Sequence, residues 1–180
     1  MAASVSTAYR VPGTVAQSAA GSSYSWTDLT KILNTTVSSG GAYCTFPGAA
    51  TPEKSYIIEI SDLGHDADIP SDAVIEQFNI LFRSSGHGTL YLNLTSDADL
   101  DSSGTTLSFT WGQKGASITP AQSGVTNTQA RDIAKDVGST KLTMLLTGQI
   151  ADSPEIMQLQ TRVTYRLPGN PYTVCIGAFA

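Results

Sequence analysis

Leu90-Tyr91-Leu92-Asn93-Leu94-Thr95 places leucine at every second position, with a polar or amphipathic residue between. Successive side chains of a strand point to opposite faces, so this run reads as a half-buried β-strand with one wet face. The same period recurs on both sides of it. Val74 to Arg83 sets Phe78, Ile80 and Phe82 on one face; Leu107, Phe109 and Trp111 repeat the pattern, and so do Leu142, Met144 and Leu146. The last long run carries Met157, Leu159, Val163 and Tyr165 against Gln158, Gln160, Arg162 and Thr164, and Tyr56 to Ile60 is short and β-branched. Turn residues separate the runs at Ser85–Gly88, Ser102–Gly104, Asp136–Ser139 and Asp152–Pro154. The pattern predicts an all-β fold, an antiparallel β-sandwich. A closed barrel is the alternative, because strand spacing alone does not separate the two.

Helical periodicity is scarce. Leu29, Ile32 and Leu33 give one brief stripe, predicting a short helix over Trp26–Leu33 with Thr27 as its cap. Pro120 to Ala134 reads as a loop or one helical turn. Residues 1–24 are mostly Ala, Ser, Gly and Thr around a Val11-Pro12-Gly13 turn, with few large apolar groups. They are expected to form a flexible or extended arm, dispensable for folding. The sandwich is then expected over residues 25–168. Beyond the Pro168-Gly169-Asn170-Pro171 break, residues 169–180 form an apolar tail with Val174, Cys175, Ile176 and Phe179. Such a tail either docks on its own domain or is lent to a neighbouring subunit.

A chain of 180 residues suits one domain and buries roughly 70% of its unfolded surface, enough for a core without metals or disulfides. Charged residues make up 14% of the chain, while Ser and Thr together number 43, so hydroxyls supply much of the surface polarity. A net charge of −5 and a pI near 4.8 argue against nucleic acid as a partner. No apolar stretch approaches the roughly 20 residues of a membrane helix, so no membrane partner is expected. Residues 1–9 show no basic region followed by an apolar run, and no secretory signal is expected there. Cys44 and Cys175 stand 131 positions apart in no metal-ligand spacing and read as buried small hydrophobes.

The histidines are His65, in Leu63-Gly64-His65-Asp66-Ala67-Asp68, and His87, in a glycine turn; both read as surface or turn residues. No Gly-x-Ser-x-Gly elbow is present to build a nucleophile around either. The acidic loop Asp97-Ala98-Asp99-Leu100-Asp101 resembles a calcium loop only in its first positions: Ser102 stands where Gly is needed and Ser108 where a bidentate Glu is needed. It reads as a solvated hairpin loop. Asp66, Asp68 and Asp72 beside Ile69-Pro70 are explained by turn formation rather than as paired catalytic carboxylates. Tyr43, Tyr91 and Trp111 are candidates for stacking on sugar rings, although Trp111 continues the Leu107/Phe109 face toward the core. No catalytic residue, cofactor or metal is expected, and the chain does not read as an enzyme.

A family resemblance rests on several of these segments in order. Trp26, Asn34-Thr35-Thr36, Gly40-Gly41-Ala42-Tyr43 and Leu63-Gly64-His65-Asp66 are followed by Ile69-Pro70-Ser71-Asp72-Ala73-Val74-Ile75-Glu76-Gln77-Phe78-Asn79-Ile80, and Val163-Thr164-Tyr165 closes the series. The order resembles tailed-phage virion structural proteins, whose loop enters a central strand through an IP-x-x-A-x-I-x-G-h-x-h segment, h being apolar. Gln77 stands where that pattern favours Gly, and Leu63-Gly64-His65 replaces its aromatic-Gly-aromatic. The resemblance covers Trp26 to Tyr165 and implies a β-sandwich or jelly-roll-like domain in a head, neck or tail. On that basis the expected role is a non-enzymatic virion protein made in the host cytoplasm, foremost a capsid decoration (cement) subunit. Its partners would be the major capsid protein or other virion proteins and further copies of itself, a symmetric trimer being one fit. A neck or tail component, or a carbohydrate-binding receptor module, is the alternative.

The alternation itself is testable. Leu92→Ala should cost about 2–5 kcal/mol in chemical denaturation, and Asn93→Ala no more than about 0.5 kcal/mol. Equal losses at the two positions would remove the strand assignment.

Overall fold

The computed structural model describes residues 3–18, 25–33, 44–45, 49–54, 57–85, 88–95, 105–109, 112–139, 141–150 and 155–169. Eleven strands occupy them: β1 (Ser4–Ser6), β2 (Thr14–Ser18), β3 (Cys44–Thr45), β4 (Ala49–Lys54), β5 (Ile57–Ser61), β6 (Val74–Ser85), β7 (Gly88–Thr95), β8 (Thr105–Phe109), β9 (Gly112–Ile118), β10 (Lys141–Ile150) and β11 (Glu155–Arg166). They form two separate antiparallel sheets. One runs β1-β11-β6-β9 with β3 also on β11; the other runs β2-β5-β10-β7-β8 with β4 also on β10. Two open sheets make a sandwich and not a closed barrel.

The strand order has an inner logic. β7 pairs with β8, β6 with β9, β5 and β4 with β10, and β3 with β11. These are nested pairs, the two arms of one long antiparallel ribbon whose tip lies between β7 and β8. Rolling that ribbon brings β6 against β11 and β7 against β10, and those contacts complete the two sheets. A nested ribbon rolled into two sheets is a jelly roll, here with β1 and β2 added.

Packing explains why the ribbon rolls. Phe78, Ile80 and Phe82 of β6 meet Leu159 and Val163 of β11, Leu92 and Leu94 of β7, and Ile58 and Ile60 of β5 in one buried cluster. Each such side chain contributes about 1.5–3 kcal/mol when taken fully out of water. Two β-bulges adjust the phase of this pairing, one in β11 between Ile156 and Gln158 and one in β6 between Ile75 and Gln77, where Thr164 and Tyr165 face it. The first puts Ile156 in the core and leaves Met157 half-buried, so Met157 does not share the inward face expected from simple alternation.

Pro120 to Ala134 packs against β6 and β7. This segment holds more helix than one turn: a 3-10 turn at Pro120–Ser123, then helix α1 (Asn127–Ala134). Both begin with a capping box, Thr119 with Gln122 and Thr126 with Gln129. Asn127 clamps the entry of β6, accepting from Ile75 N–H at 2.8 Å and donating to Ala73 O at 3.2 Å. Trp26 and Ile32 are buried, the latter in a 3-10 turn at Leu29–Leu33 that packs against β2, β3 and β11. Thr27 does not cap that turn; its backbone bridges Thr45 instead.

The largest departure from expectation concerns the N-terminal segment. Its backbone is extended, but it lies on the body: β1 pairs with the end of β11, and β2 pairs with β5 along Thr14–Ser18. Gln17 then holds Trp26 through both backbone groups, at 2.8 and 3.2 Å. Scarcity of apolar residues hid this, because edge strands are held by backbone hydrogen bonds that any sequence can make. Tyr43, His87, Asp97–Asp101, Trp111 and the tail from Asn170 lie outside the described residues.

Deleting residues 2–18 should therefore lower the thermal midpoint of the isolated protein by several degrees, about the effect of 1–2 kcal/mol in a domain of this size. An unchanged midpoint by calorimetry would show that β1 and β2 contribute nothing to the fold.

Candidate functional site

Where β5 ends, the chain turns sharply. Asp62 and Gly64 both have positive φ, 51° and 70°, and between them Leu63 is buried. The turn carries His65 inward as well: its side chain is 0% exposed. The expectation of a surface histidine is overturned, and the signal for it was present, since Leu63 and His65 continue the alternation of Ile58 and Ile60 across one extra residue. His65 Nε2 lies 3.2 Å from the Thr161 carbonyl on β11 and 3.3 Å from Thr161 Oγ1. A carbonyl only accepts, so Nε2 carries the proton and Nδ1 presents a lone pair. Nδ1 is buried with no hydrogen-bond partner among the described residues.

The N-terminal segment forms a strap over this histidine. Arg10 exchanges two backbone hydrogen bonds with Thr161, at 2.9 and 2.7 Å. Its guanidinium donates to Gly64 O at 2.6 Å and pairs with Asp68 Oδ2 at 2.7 Å. That same oxygen is 4.0 Å from His65 Nδ1. Tyr165 adds a hydrogen bond from its hydroxyl to Asp68 O at 3.1 Å. Farther along, Gly13 N–H donates to Asp62 O at 2.7 Å, and a Cβ on Gly13 would overlap the Asp62 carboxylate. A side chain at position 13 would have to push the exposed Asp62 carboxylate aside.

Burial holds the His65 imidazole below its ordinary value of 6.5, and the Arg10 charge pushes the same way, against Asp68, Asp66 and the Thr161 hydrogen bond. Cys44 is buried and its thiol is pushed up to about 12 by burial, with Asp28 adding to the shift. It is a packed hydrophobe and not a nucleophile. Asp66 and Asp72 are exposed and Asp68 is paired with Arg10, so these carboxylates do not converge. Among the described residues no group of three or more His, Cys, Asp or Glu is placed to hold a metal ion, and no helix is long and apolar enough to cross a membrane.

On the outside of the first sheet, polar side chains bond across four strands. Ser6 Oγ meets Thr164 Oγ1 at 2.9 Å, Asn79 Nδ2 donates to Thr164 Oγ1 at 3.3 Å, and Ser117 Oγ donates to Asn79 Oδ1 at 3.1 Å. Beside this row the Arg162 guanidinium stacks on the Tyr9 ring, 4.6 Å from its centroid.

No family model matches the sequence, and no curated protein matches it. Among solved structures, the coat protein of tobacco streak virus is similar with a TM-score of 0.33 at 9% identity, over 82% of this chain and 100% of that one. At that score the likeness adds nothing to the strand order described above.

The histidine makes a prediction about stability. The folded state keeps His65 neutral while the unfolded chain protonates it near 6.5. The stability it contributes is therefore complete above that value and is lost as pH falls below it toward the lowered folded value. In His65→Gln, whose amide can still donate to Thr161, this part of the acid loss should disappear from the thermal midpoint measured across pH. Parallel profiles for the two proteins would exclude His65 as a source.

Proposed function

We propose that the chain is a virion structural protein, a decoration subunit on the outside of a capsid shell. The observation that carries this reading is the filled interior. Jelly rolls serve as capsid, lectin and cupin-type scaffolds, so the fold alone leaves the task open. Here the space between the sheets is occupied by Phe78, Phe82, Leu92, Leu94 and their neighbours, all nearly inaccessible to solvent. A body of this kind acts through its outer surfaces.

Charge favours the exterior of a shell over contact with its genome. The chain is acidic overall, and Arg10 is the one basic residue among positions 1–24, already committed to Asp68. Neutralising phosphates takes a cluster of cations. The polar face with Ser6, Thr164, Asn79, Ser117 and the Tyr9–Arg162 stack is the surface we assign to contact with the shell or with further copies of the chain. A symmetric homo-oligomer would repeat that contact many times over a lattice, so weak individual bonds suffice.

Imaging of purified particles with copy-number analysis tests this. Many copies at regular positions on the outer surface are expected. Confinement to a single vertex or to the tail would replace the reading with a neck or tail component, and saturable glycan binding by the isolated protein would replace it with a receptor module.

A further inference from the structure

The strap over His65 is held by polar contacts that share a weak point. Ser4, Val5, Ser6, Tyr9 and Arg10 are exposed, so apolar contact in this segment is confined to its end, at half-buried Val11 and buried Pro12. Up to Ser6 it is held by the β1–β11 pairing and by Ser4 and Ser6 side-chain bonds to Glu76 and Thr164; beyond that it is held by Thr7 N–H to Val163 O at 2.9 Å, Val163 N–H to Thr7 Oγ1 at 3.1 Å, the Arg10–Thr161 pair, Gly13 N–H to Asp62 O and the Arg10–Asp68 ion pair. The carboxylate oxygen that binds Arg10 is also the one facing the lone pair of His65 Nδ1.

We propose that the N-terminal strap is a pH-gated latch: on acidification His65 takes the Asp68 carboxylate from Arg10, and residues 4–13 come off the edge of β11. A proton arriving on Nδ1 turns an unpartnered lone pair into a donor, and the carboxylate oxygen it faces is Asp68 Oδ2, 4.0 Å away, which must close by about an ångström to accept from it. One carboxylate oxygen then serves two cations, one of them a rigid, buried ring and the other a long side chain at the surface. The buried cation gains more from the contact, because water cannot substitute for it. Arg10 is left facing a new positive charge, and its remaining bonds to Gly64 O and Thr161 are strained by that repulsion.

The groups around the ring fit this sequence of events. Arg10 faces it from the strap, and Asp66 and Asp68 from its own loop. Tyr165 of β11 and Lys135, just after α1, bond to the backbone carbonyls of Asp68 and Asp66, which keeps the loop in place while the strap leaves. Burial ensures that the histidine is neutral near neutral pH, so the latch is closed there. Release frees the backbone groups of Thr161 and Val163 that now bond to Arg10 and Thr7, uncovering a stretch of sheet edge.

Hydrogen–deuterium exchange of the full chain, corrected for the intrinsic effect of pH, reads the latch directly. Between about pH 7.5 and about pH 5, the range histidine switches span, protection at Thr7, Arg10 and Gly13 should fall by at least about tenfold relative to β6 amides. In His65→Gln that differential loss should vanish. Asp68→Asn provides an independent arm that leaves His65 in place: its strap should already be poorly protected at the higher pH and change little on acidification. Equal loss across strap and β6, an undiminished acid response in His65→Gln, or wild-type behaviour in Asp68→Asn would each overturn the proposal.

Discussion

Strands β6 and β11 pair from Val74 against Arg166 to Ser85 against Glu155, nearly the full length of two twelve-residue strands. They belong to different levels of the nested ribbon, so their contact forms only once the ribbon has rolled. Each then carries a further partner on its free side: β9 on β6, and β1 and β3 on β11. Phe78, Ile80 and Phe82 from one and Leu159 and Val163 from the other supply much of the inward face that the second sheet covers. This pairing joins residues some 80 positions apart, which makes closing it entropically costly. Weakening it would loosen both the first sheet and the strap lying along β11.

What was legible in the sequence follows from this architecture. Phe78, Ile80 and Phe82 announce their strand because one face is dry and the other wet, and Leu92 and Leu94 do so for the same reason. Pro120 to Ala134, expected as a loop or one helical turn, holds two helical pieces, each opened by a T-x-x-Q capping box at Thr119–Gln122 and Thr126–Gln129. The bulges in β11 and β6 were not legible. A single extra residue at Ile156/Gln158 exchanges which of Ile156 and Met157 is buried, and both are apolar, so the pattern gives no warning. β1 and β2 were equally silent, since their specificity lies in backbone pairing rather than in side-chain period.

The histidine cluster shows the same limit in chemical form. Leu63 and His65 alternate inward, yet the positive φ at Asp62 and Gly64 that makes this possible is a three-dimensional fact. Nothing in Leu63-Gly64-His65-Asp66-Ala67-Asp68 reveals that Arg10, more than fifty positions earlier, will share Asp68 with the buried ring. Turn formation did explain part of the segment: Asp68 N–H donates to His65 O at 3.0 Å. The ion pair came from the strap, the part of the chain that composition marked as least structured.

A filled sandwich and an ionically pinned strap have different sensitivities. The core is held by apolar burial, which responds weakly to pH and salt, whereas the Arg10–Asp68 pair is half-exposed and screened by both water and ions. The same chain thus combines a body that stays folded with an edge whose covering depends on the medium. Under the proposed role at outer surfaces this separation has a use: the strap's state can change while the opposite ends of β6 and β11, and the polar row across Asn79 and Ser117, keep their geometry. Contacts made by that row are then independent of the latch, except at Ser6 and Tyr9, where the strap itself completes the face.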